Sequence, residues 1–169
     1  MLRRVRRGVR DGPIEDEGHL ASEGLFEDRG IGLVHGQDRV GGLLIYGIPN
    51  FKLDKAIVER RTKWLIDSGV RFQLNFAVGR DATLADLRQR HDAVLIATGV
   101  YKARGIAAPG VGLGNIVQAM DYLTASNRQG LGDRVPAFDD GSLDAAGKNV
   151  VVIGGGDTAM DCVRTAVRQ

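Results

Sequence analysis

The spacing of apolar residues divides the chain into stretches of different period. Val150 to Ile153 is an unbroken β-branched run, the composition of a strand buried on both faces of a parallel sheet. Val94, Leu95 and Ile96 form a second such run. Val70 to Phe76 alternates apolar and polar residues and predicts a strand with one wet face. Elsewhere the period lengthens. Asp54 is placed to cap a helix that Gly69 ends, with Ile57, Val58, Trp64 and Leu65 on one apolar stripe and Glu59, Arg60 and Lys63 facing water. Trp64 belongs to the core in this reading. Thr83 can cap a short helix through Arg90, with Leu84 and Leu87 on one face. Val117, Met120 and Leu123 recur at helical spacing. Ser126 to Lys148 is polar and glycine-punctuated and reads as loop. Ile31 to His35 fits a short strand, with His35 a surface or loop histidine.

Residues 1–38 otherwise show no sustained period. Five arginines in the first ten positions are followed by Glu15, Asp16, Glu17, Glu23, Glu27 and Asp28 among glycines. A transit peptide would have fewer acids and more serine. Nucleic-acid binding would call for aromatics or a motif that the stretch lacks. A disordered or aberrant leader fits better. The composition shifts again near residue 100. The expected organisation is an irregular leader at 1–37, an orderly unit at 38–110, and a linker leading into a further unit at 111–169.

At 169 residues the chain is long enough for a sizeable core, and its net charge of +2 does not by itself point to nucleic acid. No apolar run approaches the roughly 20 residues that span a bilayer. The single cysteine, Cys162, excludes an internal disulfide, and no cysteine cluster exists for zinc or iron–sulfur. It reads as a small buried residue, and a reducing, cytoplasmic setting follows.

The candidate chemistry lies where the strand at Val150–Ile153 ends. Gly154, Gly155, Gly156, Asp157 and Thr158 come next, and the spacing Gly154-x-Gly156-x-x-Ala159 fits a dinucleotide fingerprint. The first glycine allows the turn, the second lets backbone approach a pyrophosphate, and the small Ala159 lets helix pack on strand. The helix N-terminus adds free N–H groups and a positive dipole end. The competing reading is a plain strand–helix turn, with Asp157 and Asp161 merely complementing the dipole. Gly41-Gly42 permits close backbone approach to something flat or charged. Ala97-Thr98-Gly99 is either a ligand-lining turn at a strand's carboxyl end or a crossover that needs small residues. No metal ligands, and no Ser/His/Asp or paired-carboxylate arrangement, call for a catalytic side chain.

Three stretches carry a resemblance: Gly41 through Lys55, Asp92 through Gly99, and Val150 through Cys162. Residues 38–169 closely resemble the small (β) subunit of NADPH-dependent glutamate synthase, and more weakly the flavin half of dihydropyrimidine dehydrogenase. The resemblance implies an α/β fold, a fragment of two interleaved Rossmann-like domains of the disulfide-reductase-like kind, one for FAD and one for NADPH. It implies that Gly41, Gly42 and Leu43 line the FAD site and that Ala97, Thr98 and Gly99 pass close to it. Residues Gly154 to Thr158 would form the NADPH pyrophosphate turn. The implied reaction is hydride transfer from NADPH to FAD, with electrons then passing through iron–sulfur clusters to the large (α) subunit, where glutamate is made from glutamine and 2-oxoglutarate. The flavin would perform the chemistry, and no residue here need be catalytic.

The chain also departs from that pattern. It has neither the cysteine-bearing iron–sulfur domain nor the first glycine fingerprint that such proteins carry. The expectation is a fragment with incomplete FAD and NADPH sites, poor at binding FAD and inactive alone. Two other functions remain open on the residues: a related FAD-dependent NAD(P)H oxidoreductase serving another partner, and a non-catalytic nucleotide-binding remnant.

Overall fold

The computed structural model describes residues 30–100, 102–103 and 105–169. The arginine-rich start and the acids that follow it lie outside the described residues.

Two short strands, β1 (Gly32–Val34) and β2 (Arg71–Gln73), pair in parallel with Leu33 opposite Phe72. Parallel strands cannot be joined by a tight turn, and the connection here runs through helices α1 (Leu43–Tyr46) and α2 (Lys55–Asp67). Strand β2 is shorter than the alternating stretch, but Phe76 beyond it is buried and its N–H reaches the His35 carbonyl at 3.0 Å.

The expected ends of α2 hold. The Asp54 carboxylate accepts the Ala56 N–H at 3.0 Å, and Gly69 follows the helix with φ +90°. Its expected stripe does not. Val58 is buried, but Ile57, Trp64 and Leu65 are exposed, and Trp64 lies under the Arg61 guanidinium at 4.6 Å instead of in the core. Periodicity specified which face could be buried; no element among the described residues covers all of it. Helix α3 (Leu84–Arg90) starts with a capping box between Thr83 and Asp86 and buries Leu87, while Leu84 is exposed.

The next helix, α4 (Ala119–Gly130), corrects the loop reading that began at Ser126. Leu123 and Asn127 are buried one turn apart, so the apolar stripe simply continues through a polar sequence. A four-residue helix, α5 (Pro136–Asp139), interrupts the same stretch. Helix α6 (Asp157–Arg168) closes the described chain.

The core sits between α1, α2 and α4. Ile45, Tyr46 and Val58 are buried together, with Leu53 and Leu131 against them. Burial of an aliphatic side chain such as Ile45 stabilises by roughly 1.5–3 kcal/mol. Helix α6 packs on α4 through Cys162, which is buried as expected and lies 4.0 Å from the Ala119 carbonyl.

Two expected strands are absent. Residues 94–96 and 150–153 form no strand pairing, and their side chains are largely bare: Leu95 is 89% and Val151 86% exposed. A β-branched run shows that a segment suits a buried sheet, but a strand exists only where another strand completes its ladder. Among the described residues none lies beside either run.

Candidate functional site

The first glycine pair is positioned by what lies beneath it. Helix α1 has only four residues, too few to be stable on its own hydrogen bonds. Its carbonyls are taken by other elements. The buried Lys55 ammonium donates to the Leu44 carbonyl at 2.8 Å and also to that of Ile48. The buried Asn127 amide donates to Tyr46 O at 2.9 Å and to Leu123 O at 3.0 Å. Burial pushes the Lys55 pKa down. Gly41 and Gly42 lead into this helix with φ of +123° and +52°. A Cβ on Gly41 would stand 2.8 Å from Val58 Cγ1 and 3.2 Å from Ile45 Cβ. Gly41 is therefore demanded by packing, whereas a Cβ on Gly42 would meet only His35 Nε2, at an ordinary contact distance of 3.7 Å.

Beside Gly42 lies a cleft of about 410 Å³, lined by Gly42 and Leu43, by Val100, and by the α4 face carrying Met120, Thr124 and Arg128. Its size falls within the range of small-molecule pockets. The structure thus brings Gly42 and Leu43 to one wall. It brings only Val100, the residue after Ala97-Thr98-Gly99, to the other. Ala97, Thr98 and Gly99 are themselves exposed and do not line this cleft, and neither does Gly41.

A polar network closes one side of the cleft. Arg39 makes a forked pair to Asp133, both contacts 2.6 Å, and donates to the Tyr46 hydroxyl at 3.0 Å. Tyr46 donates to Asp38 at 2.5 Å, Arg128 donates to Asp38 at 2.8 and 3.0 Å, and the Arg128 guanidinium lies 4.5 Å from the Tyr46 ring centre. Burial alone would raise the Asp38 carboxyl, but hydrogen bonds from Arg128 and Tyr46 outweigh it and hold the pKa at about 2. Burial, helped by the Asp38 bond, pushes the Tyr46 phenol up. The network fixes α1 against the end of α4. Arg128 and Thr124 fell outside the residues singled out in the sequence. The signal available was the step of four from Leu123 to Asn127, unbroken by any helix breaker before Gly130.

The second glycine group stands apart from the cleft, at the mouth of α6. Gly154 has φ +139°, and a Cβ there would meet Ala159 Cβ at 3.3 Å. This is the close approach that the fingerprint's small third residue permits. Gly155 and Gly156 have nothing within 4 Å of a Cβ position, and Gly156, the N-cap, offers no side chain to the first turn. The backbone N–H groups at Asp157 and Thr158 start the helix there, with both residues exposed.

Asp161 corrects a sequence expectation. It is buried, 8% exposed at its side chain, and paired with Lys52 at 3.1 Å. It joins α6 to the segment after α1 instead of simply complementing the helix dipole. Phe51 adds to this joint, under the guanidinium groups of Arg164 and Arg168 at 4.7 and 3.9 Å. The segment Phe51–Leu53 therefore ties the helix of the second glycine turn to the core of Ile45, Tyr46 and Val58, against which Leu53 packs. No group of metal-ligating side chains occurs among the described residues.

No protein-family model matches the chain. Among curated proteins, the glutamate synthase [NADPH] small chain of Azospirillum brasilense is 70% identical over 132 residues, covering 78% of this chain and 27% of that protein. The chain is a partial relative of the glutamate synthase small chain. The putative small chain of Cereibacter sphaeroides is 64% identical over 132 residues, covering 78% of this chain and 31% of its own length. This chain therefore spans about a third or less of the small chains it matches. Among solved structures, a histidine-to-glutamine mutant of FprA from Mycobacterium tuberculosis superimposes with a TM-score of 0.64 at 30% identity, covering 79% of this chain and 28% of FprA. The α/β class expected from the sequence is the one observed. No helix among the described residues is long and apolar enough to cross a membrane.

Proposed function

We propose that this chain is the cofactor-gripping part of an electron-input subunit of glutamate synthase, with NADPH at the α6 turn and FAD in the cleft. One observation carries the reading: within a stretch 70% identical to a small chain, Gly154 has little room for a side chain beside Ala159 while Gly155 and Gly156 leave the helix mouth bare. A bare helix mouth of this shape suits a pyrophosphate, held by main-chain N–H groups at Asp157 and Thr158 and by the helix dipole.

The flavin also fits the residues present. Gly42 and Leu43 offer backbone at the cleft wall, and the buried side-chain oxygen of Gln37, another lining residue, has no hydrogen-bond partner. When both groups are bound, they supply hydride transfer from the reduced nicotinamide to the flavin. The chain's residues orient and hold. Lys55 and Asn127 keep α1, and with it Gly42, at a fixed height. The Asp38–Arg39–Tyr46–Arg128–Asp133 network keeps α4 at a fixed distance from it. The Lys52–Asp161 pair and the Phe51 stack keep the α6 turn in register with both. Proton transfer by a side chain is not part of this reading.

The partner is the large subunit, the product glutamate, and the compartment the cytoplasm. With residues 94–96 and 150–153 bare, this chain alone should bind FAD weakly and turn over little. The test of the NADPH turn is Gly156→Val. A Cβ at 156 meets no protein atom, so stability should fall by about 1 kcal/mol or less, the usual loss at an N-cap. NADPH affinity by calorimetry should fall at least about tenfold, because the added methyls occupy the pyrophosphate's place. Equal NADPH affinity in both proteins would remove the turn from the site.

A further inference from the structure

We infer that Gln37 is a ligand-facing acceptor, whose side-chain oxygen takes a hydrogen bond from a sugar hydroxyl of the flavin nucleotide proposed for the cleft. The inference rests on that reading of the cleft and adds a residue to it. Gln37 precedes the stretch that carries the family resemblance. Its role follows from its surroundings alone.

Gln37 lines the cleft, and its Oε1 is buried without a hydrogen-bond partner. It is the sole such side-chain atom among the described residues. Buried polar atoms are nearly always paired, so an orphan in a cavity wall marks a place where a partner arrives. The residue is not loosely held. Its N–H donates to His35 Nδ1 at 3.1 Å, and its carbonyl accepts the Asn75 N–H at 3.0 Å. The backbone is pinned on both sides while the side-chain oxygen is left over.

Two donors on the same cleft are already committed. Arg128, on the same cleft, is shared between Asp38 and Asp133, and the Tyr46 hydroxyl is given to Asp38. An amide oxygen can only accept, so the group that meets it must be an O–H or N–H. Gln37 lies three residues beyond Val34, the last residue of β1. That is the carboxyl end of a parallel strand, where open α/β sheets bind ligands and present acceptors to ribose hydroxyls. A neutral acceptor there favours a hydroxyl over a cation.

The test uses Gln37→Leu, which removes the acceptor at nearly constant volume, and Gln37→Glu, which keeps an acceptor oxygen. FAD is titrated into each full chain and followed by quenching of flavin fluorescence, with riboflavin in parallel. Gln37→Leu should weaken FAD binding about 3- to 10-fold, the worth of one hydrogen bond, and Gln37→Glu should restore most of the loss. The melting temperature of the ligand-free Gln37→Leu chain should equal or exceed that of the parent, because an unsatisfied buried atom has been removed. A residue serving the fold alone would lower it. A loss shared by riboflavin assigns the ribityl hydroxyls, and a loss confined to FAD assigns the ribose; both support the inference. Equal FAD affinity in the parent and Gln37→Leu overturns it and leaves the flavin reading standing. A parent chain that takes up no FAD overturns the flavin reading and this inference together.

Discussion

The two glycine regions look alike as sequence and behave differently as structure. At Gly41-Gly42 the glycines are half-buried. One has no room for a methyl group, and the helix that follows has its carbonyls tied to Lys55 and Asn127. At Gly154–Gly156 a methyl on the first glycine would crowd Ala159, methyls on the other two would meet nothing, and the run of residues before them is largely exposed. The first region is completed by the chain's own tertiary contacts. The second is completed on its helix side only, through Lys52, Phe51 and the α4 contact with Cys162. A glycine can thus be required by a neighbour or by an absence, and only coordinates distinguish the two.

The comparison breaks most sharply at Gly41. Gly41→Ala puts a methyl into Val58 at a backbone angle that side chains rarely adopt. The expected loss is about 3–5 kcal/mol by denaturant unfolding, from overpacking and strain together. Set against the small effect expected of Gly156→Val, equal losses at both positions would erase the distinction. Next in size is Leu123→Ala. Leu123 is 1% exposed on the helix shared by both regions, and its truncation should cost about 2–4 kcal/mol, read as a lower denaturation midpoint.

A smaller effect probes the joint between the regions. Lys52→Met strands the buried Asp161 carboxylate. Lys52 is itself partly exposed, so the loss should be about 1–2 kcal/mol and not the larger figure for a fully buried pair. NADPH affinity should fall with it if α6 is steadied by this contact. The smallest effect is a pH dependence. The folded Asp38 pKa is about 2 against an ordinary 3.8, so its contribution is complete above 3.8 and is lost as pH falls through about 2. Asp38→Asn should flatten the unfolding profile in that acid window. The carboxylate is 38% exposed, so solvent screening keeps the effect modest.

Helix ends were legible because capping is local. Asp54, Thr83 and Gly69 act within a few residues of themselves, and each stands where its sequence implied. Burial was less legible. Trp64 and Leu65 follow the right period, yet both are exposed. The cleft was half legible: Gly42 and Leu43 were named, while Arg128 and Gln37 were not, since their relevance comes from elements distant in the chain.

By itself the sequence determined the caps, the glycine spacing and the small Ala159, all of which depend on residues within a turn or two of one another. Tertiary structure alone decided that Gly41 is packed and Gly156 open, that Asp161 pairs with Lys52, and that residues 94–96 and 150–153 find no strand partner among the described residues. Those outcomes depend on which distant segment arrives at a given face, and no local pattern of side chains encodes an arrival.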